Sequence, residues 1–356
     1  MSKIRFEISD TDLTLLNPFR DFSEEVHTVK VRKDPLLGDI SVYNPRLKDK
    51  VKFFFGDCDI GLLEKLIEDS AKNCIFCGDM IEKSTPRYPS NLVSEGRIKK
   101  GEAVLFPNLF PIGRYHSVIR LSDAHFLKLS EFRPGIIENG LMAAQTFINL
   151  VYNHDPSASF VAVNANYLFP AGATLVHPHL QMLITPIPYS YHERLIRANR
   201  SYYENHSTEF YPDLIEEEKR KGERYVAQMG GWHWLTAFSP MGNNEVMAVH
   251  EEKSDLGLLS KSDLADLSKG ISSVLAFYES LGHLSFNYSI FSVRRASSQK
   301  GFRCILKIIS RQNLYPNYRN DDFFLQKLLQ SELIINLPED LAVELRGFFK
   351  HDIQGG

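Results

Sequence analysis

Two histidines and a glutamine alternate along one short segment of the chain, residues 176–182, which reads VHPHLQM. Side chains two residues apart lie on the same face of a β-strand, so His177, His179 and Gln181 are predicted to share one surface. Burying two imidazoles and an amide without partners costs on the order of several kcal/mol. A strand with a purely structural role therefore rarely carries such a face, and the segment predicts a reactive site. The alternative is a hydrogen-bonded pair of structural histidines.

A second candidate site is the pair Cys74 and Cys77, which is followed by a glycine. The spacing suits a metal-binding turn, a redox pair or two buried thiols. A tetrahedral zinc needs four ligands, and His125 and His177 are the histidines that we expect to complete the set. Such a closed site is structural, because it would fix the cysteine turn to the strand and leave His179 as the nucleophile. A redox pair or a site without metal stays open as an alternative.

The elements that position these residues follow from the periodicity of the apolar positions. Helical spacing leads into the first cysteine, and a second helix begins at a proline. Extended runs flank both, and a glycine-containing loop at residues 166–174 precedes the histidine strand. The predicted elements of this half are a helix at residues 61–72, strands at 103–106 and 117–121, a helix at 134–152, and strands at 160–164 and 175–184.

The order of strands, helix and strands recurs later in the chain, which predicts an α+β fold of two fused halves. We place the halves at residues 1–188 and 189–356, with residues 1–60 as an N-terminal arm. The charge run at residues 216–224 is predicted to be a solvated helix face, and residues 320–349 are predicted to be helical. The predicted elements of the second half are strands at residues 234–238 and 245–249, a helix at 261–280, and strands at 285–293 and 304–309.

Composition limits the class of protein. The 356 residues include 41 basic and 44 acidic side chains, so a formal net charge of −3 gives no general attraction for nucleic acid. We find no run of roughly 18 apolar residues, which predicts no membrane span. Four cysteines cannot form a disulfide framework in a chain of this length, and the first residues lack the apolar core of a secretory signal. The sequence therefore predicts a cytoplasmic globular protein.

Several segments resemble motifs of one family. Residues 34–38 (DPLLG) are similar to a (D/N)PLTG segment, Cys74 and Cys77 to a zinc knuckle, and residues 108–111 (NLFP) to an NDFPA nucleotide-binding turn. Residues 166–181 match the spacing of the signature N-x5-G-C/A-S-x2-HPHGQ. On these motifs the chain resembles the galactose-1-phosphate uridylyltransferase family of the histidine-triad (HIT) superfamily. The resemblance implies a HIT-like fold whose two halves each hold an antiparallel sheet and helices.

The resemblance also implies roles for individual residues. His179 would attack the α-phosphorus of a nucleotide sugar and carry the nucleotidyl group until a sugar 1-phosphate accepts it. Gln181 and Thr174 would donate hydrogen bonds to the non-bridging phosphate oxygens, and Gly172 would let the backbone approach the phosphates. Asn166 would position the same loop. An amide does not titrate, so Gln181 at the place of a third histidine favours transfer over hydrolysis.

Other matches and departures bear on the substrates and the metal. Asn108 would lie in the nucleotide-binding turn, but Leu109 follows where the family has an acidic residue that holds the ribose hydroxyls. The base is therefore left open. The family's N-terminal arginines have no clean equivalents, and Arg46 and Lys50 are the candidates for phosphate binding. The zinc knuckle of the family implies one structural Zn²⁺, held by Cys74, Cys77, His125 and His177.

A group of basic residues in the second half either binds the sugar phosphate or forms a solvated surface. Its members are Arg294, Arg295, Lys300, Arg303, Lys307 and Arg311.

Three functions are compatible with this sequence. The first is a nucleotidyltransferase that works on a nucleotide sugar and a sugar phosphate. The second is a nucleotide-sugar or dinucleoside polyphosphate phosphorylase, in which inorganic phosphate is the acceptor. The third is a zinc-stabilised nucleotide-binding protein without turnover. We expect no nucleic-acid or membrane partner, and because relatives are often dimers, a homodimer is an open possibility.

Overall fold

A long β-hairpin forms the N-terminal arm in the computed structural model of the protein, which describes residues 3–294, 300–318 and 320–353. The two strands pair along their whole length, from Glu7 opposite Lys33 to Asn17 opposite Ser23. Asn17 fixes the turn, because its Oδ1 accepts the N–H of Phe19 at 2.9 Å. The elements of this region are β1 (Glu7–Asn17), β2 (Ser23–Lys33), β3 (Ile40–Tyr43), α1 (Val51–Phe55), α2 (Ile60–Ala71) and α3 (Met80–Ser84).

The histidine strand of the first half begins later than predicted. It starts at His179 and not at residue 175, so His177 lies just before the strand. Pro178 has no N–H for a ladder, and only its carbonyl is used, accepting the N–H of Leu121 at 3.0 Å. The elements of this half are β4 (Ile98–Lys100), β5 (Ala103–Pro107), β6 (Tyr115–Arg120), α4 (Pro134–His154), β7 (Phe160–Tyr167) and β8 (His179–Thr185).

The second half repeats this order of strands and helix after two connecting helices. Ser260 caps the long helix, because its side chain accepts the N–H of Asp263. The elements are α5 (Ser190–His206), α6 (Phe210–Lys221), β9 (Tyr225–Met229), β10 (Trp232–Thr236), β11 (Val246–His250), α7 (Lys261–Ser280), β12 (Phe286–Val293) and β13 (Ile305–Ser310).

The two halves join edge to edge in one sheet. β7 pairs antiparallel with β12, and the strand order is β4-β5-β6-β8-β7-β12-β13-β11-β10-β9. Each half therefore contributes five strands, and the order in one half mirrors the order in the other. The predicted α+β fold of two fused halves is confirmed, with a sheet that runs without a break across the joint.

The two faces of the sheet differ. The helices α4 and α7 cover one face, over a core shared by both halves. On the other face, the cysteine turn packs its Phe76 against β5 and β6, and α5 and α6 cover the far end. Within the described ranges no helix is long and apolar enough to cross a membrane. Polar side chains of the central strands lie between the two covered ends: Asn164, Asn166, Gln181, Asn287 and Ser289.

Two predictions are corrected at the C-terminal helix and at the charged residues that contact it. The predicted helical tail contains the strand Ser331–Ile334, which pairs parallel with β3. The predicted solvated charge run is partly buried, since Glu218 is fully buried and Arg224 is 2% exposed. Arg224 bonds Glu218 at 2.9 Å and Glu339 at 2.7 Å, so these charges join the C-terminal helix to the body. The elements are α8 (Phe324–Lys327), β14 (Ser331–Ile334) and α9 (Pro338–Ile353).

Candidate active site and metal centre

Four predicted metal ligands meet at one point. Cys74 and Cys77 come from the turn after α2, His125 from the loop after β6, and His177 from the residue pair before β8. One ligand atom from each residue lies within 4.8 Å of the others. Nδ1 of His177 is 3.5 Å from the sulfur of both cysteines, and Nδ1 of His125 is 3.4 Å from Sγ of Cys77. The structure therefore brings together the four residues that the sequence nominated.

The outer nitrogens of both histidines are held by acceptors. Nε2 of His177 donates to the carbonyl oxygen of Ser122 at 2.8 Å. Nε2 of His125 is 2.9 Å from Oγ of Ser70, whose own hydroxyl donates to the carbonyl of Ile67. Each ring thus carries its proton on Nε2 and turns the lone pair of Nδ1 toward the sulfurs. This second layer of partners is typical of metal-binding histidines, and the two-sulfur, two-nitrogen donor set fits a tetrahedral zinc.

Protonation favours the metal interpretation of the cluster over the redox one. Burial lowers the pKa of His177 to about 4, so the ring is a neutral ligand. Burial raises the pKa of the Cys77 thiol, with the neighbouring Cys74 adding to the effect. A redox-active cysteine needs a lowered pKa, whereas a bound cation deprotonates a coordinating thiol outright.

His179 is oriented by one backbone hydrogen bond. Its Nδ1 donates to the carbonyl oxygen of His177 at 2.8 Å, so the lone pair of the neutral ring is on Nε2. No hydrogen bond joins Nε2 to another described residue, and the residue is 7% exposed. The ring meets Phe76 edge to face at 5.7 Å, and burial lowers the pKa of the imidazole, so the neutral form is favoured. The arrangement presents one nucleophilic nitrogen.

Gln181 lies on the same strand and has a partner that the sequence analysis did not identify. Its Oε1 is 2.9 Å from Nε2 of His116 on β6, and Val118 of β6 lies opposite Gln181 in the register. His116 shares a strand face with Val118, because the two are two residues apart. Pairing the predicted strands β6 and β8 would have been the signal for this contact.

The glycine loop after β7 is held from the second half of the molecule. Gly172 is exposed with φ +82°, a conformation that favours glycine, and Thr174 is exposed two residues further on. Nδ2 of Asn287 on β12 donates to Oδ1 of Asn166 at 2.7 Å and to the carbonyl of Ala171 at 2.9 Å. Asn166 thus acts on its own loop through a residue 121 positions away, and no local pattern in the sequence indicates that residue.

The side chain of Asn287 is itself held by the ion pair between Arg311 and Asp321. Nη1 of Arg311 donates to Oδ1 of Asn287 at 2.5 Å, and the Arg311 guanidinium is paired with Asp321. This link fixes the asparagine amide, since its oxygen faces the arginine and its NH₂ group faces the loop.

The turn at Asn108 contacts the same cluster. Nδ2 of Asn108 lies 3.4 Å from Nε2 of His116, and its Oδ1 accepts the N–H of Phe110 at 2.8 Å. Leu109 and Phe110 are exposed. The predicted nucleotide-binding turn therefore lies next to Gln181 and presents apolar side chains to solvent.

Arg46 and Lys50 are not part of this cluster. Arg46 pairs with Glu25 on β2, and Lys50 is an exposed residue at the end of the short helix Pro45–Lys50. Among the described residues, neither contacts His179 or Gln181 in an ion pair or hydrogen bond. Both stay predictions as phosphate ligands.

The basic group of the second half is dispersed among different partners. Lys307 is buried against Glu245, Arg303 pairs with Glu209, and Arg311 pairs with Asp321. Of the remaining members, Arg294 donates to the carbonyls of residues 152 and 156, Lys300 lies over the ring of Tyr203, and Arg295 falls outside the described residues.

Comparison with known proteins gives relatives along most of the chain, although no protein-family model matches it. An uncharacterized protein of Archaeoglobus fulgidus is 29% identical over 323 residues, 90% of this chain and 93% of that one. A galactose-1-phosphate uridylyltransferase of Streptomyces lividans is 27% identical over 238 residues, 65% of this chain and 58% of that one.

Solved structures decide the fold. An ADP-glucose phosphorylase from Arabidopsis thaliana with bound ADP-glucose matches 89% of this chain and 98% of its own, with TM-score 0.67 and 18% identity. The chain therefore shares its overall fold with this phosphorylase and with a GalT-like protein of Arabidopsis thaliana, which matches 89% of this chain and 98% of its own with TM-score 0.66 and 19% identity. A uridylyltransferase mutant matches 90% of this chain and 99% of its own, with TM-score 0.65 and 16% identity. The sequence-based resemblance is confirmed at the level of the fold.

Proposed function

We propose that the protein is a nucleotidyltransferase in which His179 takes a nucleoside monophosphate from a nucleotide sugar and passes it to a sugar 1-phosphate. One observation carries the proposal. The bond from Nδ1 of His179 to the carbonyl of His177 leaves Nε2 as a free, unprotonated nitrogen at the polar part of the sheet. This is the geometry that an imidazole nucleophile requires.

The reaction would proceed in two displacements at phosphorus. In the first, Nε2 of His179 attacks the α-phosphorus, the N–P bond forms, and the bond to the bridging oxygen breaks, so that the sugar 1-phosphate leaves with the electron pair. In the second, a phosphate oxygen of the acceptor attacks, the P–N bond breaks, and the imidazole returns to its neutral form. The side chain of Gln181 stores no proton in either step.

The neighbouring residues would stabilise the charge on the transferred group. The NH₂ group of Gln181 and the hydroxyl of Thr174 are the proposed donors to the non-bridging oxygens. Gly172 would allow the backbone to approach the phosphates, and Asn166 would hold the loop through Asn287. Asn108 would contribute through the turn that contacts His116.

The metal centre would be structural. Cys74, Cys77, His125 and His177 are proposed to hold one Zn²⁺, which would supply rigidity at the position of His177. Because the carbonyl of His177 accepts the bond from His179, the rigidity of this residue is transmitted to the nucleophile through one hydrogen bond.

A second candidate is a phosphorylase that uses inorganic phosphate as acceptor. The exposed Leu109 departs from the uridylyltransferase motif, because a leucine cannot accept hydrogen bonds from a ribose, and this weakens the argument that the acceptor is the one used by that family. Further support comes from the ADP-glucose phosphorylase of Arabidopsis thaliana, which is 34% identical over 73 residues, 20% of each chain. The two candidates share the covalent step on His179 and differ only in the acceptor.

The test is to incubate the protein separately with UDP-, ADP- and GDP-glucose and to measure the intact mass. The expected result is an added nucleoside monophosphate with one donor, lost in His179→Ala and retained in the control variant His154→Ala, whose histidine is exposed at the end of α4. Discharge of the adduct by a sugar 1-phosphate or by inorganic phosphate selects between the two candidates. Absence of an adduct with every donor would favour the third function, a nucleotide-binding protein without turnover.

We further propose that the protein is a homodimer and that the hairpin β1–β2 takes part in the interface. The first strand of this hairpin is largely exposed, the second is exposed to half-buried with two buried residues, and its outer end carries apolar side chains with Phe19 95% exposed. β2 also pairs with β3 at residues 30–33, so only the outer part of the hairpin is a two-stranded ribbon. Such a ribbon is marginally stable by itself in water, and a second copy that covers it is the expected occupant. Sedimentation should give a dimer for the wild type and a monomer for Leu16→Asp with Phe19→Asp. A wild-type monomer would end this part of the proposal.

A further inference from the structure

We infer that His116 is a positioning residue, which holds the side-chain amide of Gln181 so that its NH₂ group and not its oxygen faces the transferred phosphate. The inference rests on the proposed function, because it assigns a task within the same site. It concerns a residue that does not touch the reacting atoms and acts only through Gln181.

The hydrogen-bond network assigns the proton of His116. The backbone N–H of Ile112 donates to Nδ1 of His116 at 3.3 Å, so this nitrogen must be an acceptor. Nε2 therefore carries the proton in the neutral ring, and it lies 2.9 Å from Oε1 of Gln181. His116 is 5% exposed, and burial lowers the pKa of its imidazole, which keeps the ring in this neutral form.

The oxygen and the NH₂ group of an amide have nearly the same shape but opposite hydrogen-bonding roles. A fixed neighbour such as His116 is therefore needed to select one orientation of the Gln181 amide. Turned one way, Gln181 offers two N–H donors to a phosphate oxygen, and turned the other way it offers a lone pair that repels the oxygen. With His116 in place, the wrong orientation would set two donors against each other at 2.9 Å. The right orientation is therefore favoured before any substrate binds, and the donor is preorganised.

The main chain of Gln181 is fixed independently of His116. Nδ2 of Asn164 donates to the carbonyl oxygen of Gln181 at 3.3 Å, and the strand pairs with β6 and β7 on both sides. Loss of His116 would therefore leave the backbone of Gln181 in place and release only the orientation of its amide. This separation makes the inference testable.

His116 has a second contact that a test must separate from the first. Its Nδ1 accepts the N–H of Ile112, so it also supports the turn at residues 108–112. Nδ2 of Asn108 lies 3.4 Å from Nε2, but in this tautomer both atoms are donors and the two groups are only in contact. A loss of that turn would weaken the binding of the nucleotide. A loss of the amide orientation would leave binding almost unchanged and slow the formation of the adduct.

The experiment measures the single-turnover rate of adduct formation and the Kd of the donor for the wild type, His116→Phe, His116→Gln, Gln181→Ala and the double variant His116→Phe with Gln181→Ala. We expect His116→Phe to slow adduct formation by roughly tenfold to hundredfold with a Kd within about twofold of the wild type. His116→Gln, which can still present an N–H near the position of Nε2, should recover most of the rate. In the Gln181→Ala background, His116→Phe should have no further effect on the rate.

Two outcomes would overturn the inference: a wild-type rate in His116→Phe, or the same loss of rate in the presence and absence of Gln181. The second outcome would mean that His116 supports only the turn. A wild-type protein that forms no adduct with any donor would instead refute the proposed function. In that case ¹⁵N NMR of the His116 ring still decides the geometry, since a protonated Nδ1 would contradict the contact with Gln181.

Discussion

Nδ1 of His179 lies 2.8 Å from the carbonyl oxygen of His177, so one candidate metal ligand orients the candidate nucleophile through its backbone. His177 is in turn fixed at both ring nitrogens, by the sulfurs of the cysteine turn on one side and by Ser122 on the other. The candidate metal centre and the candidate nucleophile, which were predicted from separate motifs, are therefore connected through His177. A change in the position of the cysteine turn should therefore change the orientation of the His179 ring.

Removal of a cysteine ligand should abolish metal binding and slow the reaction. Cys74→Ser is expected to lose the one zinc per chain that elemental analysis should find in the wild type, because the serine hydroxyl is a poor zinc ligand. Adduct formation should fall with it, because His177 loses its anchor. The matched control is Cys58→Ser, a partly buried cysteine outside the cluster, which should keep the zinc. A zinc-free wild-type protein of full stability would contradict the structural role of the metal.

The hydrogen bonds from Asn287 of the second half should be needed to hold the glycine loop of the first half in place. Asn287→Ala removes the donor shared by Asn166 and the carbonyl of Ala171 and one of the acceptors of Arg311, which keeps its pair with Asp321. We expect adduct formation to slow by about tenfold or more, because a loop misplaced by even 1 Å costs catalysis heavily. The control is Asn205→Ala, whose amide makes only an exposed contact with Ser201 on α5. Equal rates for Asn287→Ala and the wild type would show that the loop is held without the second half.

Stability should fall in mild acid, and His192 should be one cause. This histidine is 3% exposed and meets the rings of Phe160, Phe291 and Phe302 at 5.4 to 5.9 Å, with no partner for Nε2 among the described residues. Burial lowers its pKa to about 4 from an ordinary value of 6.5. The unfolded chain therefore takes up the proton first as the pH falls, and the free energy of unfolding decreases between about pH 7 and pH 4.

Replacement of His192 by phenylalanine should flatten this dependence. The loss of unfolding free energy between pH 7.5 and pH 5, measured with urea, should shrink by about 1 to 2 kcal/mol in His192→Phe. Part of the dependence should persist, because burial also lowers the pKa of His283 to about 4. His154→Gln, at an exposed position, should leave the slope as in the wild type. An unchanged slope in His192→Phe would contradict the neutral, buried state of this ring.

The buried charges near the C-terminal helix should be strongly coupled. Arg224→Met leaves the fully buried Glu218 without its cation, and we expect it to cost about 3 kcal/mol or more in urea unfolding. The control is Arg197→Met, whose ion pair with Glu193 is largely exposed and should be worth less than about 1 kcal/mol. Similar costs for the two variants would mean that water reaches the Arg224 network.

The sequence was sufficient for the parts of the site that depend on spacing along the chain. The four candidate metal ligands come from three separate segments, and the structure places their ligand atoms within 4.8 Å. The alternation in the HPHLQ segment correctly placed the rings of His177 and His179 on one side, since both meet Phe76 edge to face. Only the start of the strand was wrong, where the missing N–H of Pro178 shortens the ladder.

The contacts of the site that depend on strand register could not be predicted from spacing along the chain. His116 and Asn287 reach the site from β6 and β12, and their partners follow from which residues stand opposite each other across a sheet. Register is set by the packing of whole faces, which no local pattern reports. The parallel strand Ser331–Ile334 was missed for the same reason, since its partner β3 lies almost 300 residues earlier.

The pairing of β7 with β12 has a consequence for dissection of the molecule. All four cysteine and histidine ligands and His179 belong to the first half, yet β7 is an inner strand only because β12 covers it along eight residues. A fragment cut between the halves would leave the backbone donors and acceptors of β7 unpaired at an exposed sheet edge. Such an edge can pair with other chains and cause aggregation. We therefore expect the half that bears the candidate nucleophile His179 to aggregate when it is produced without the other half.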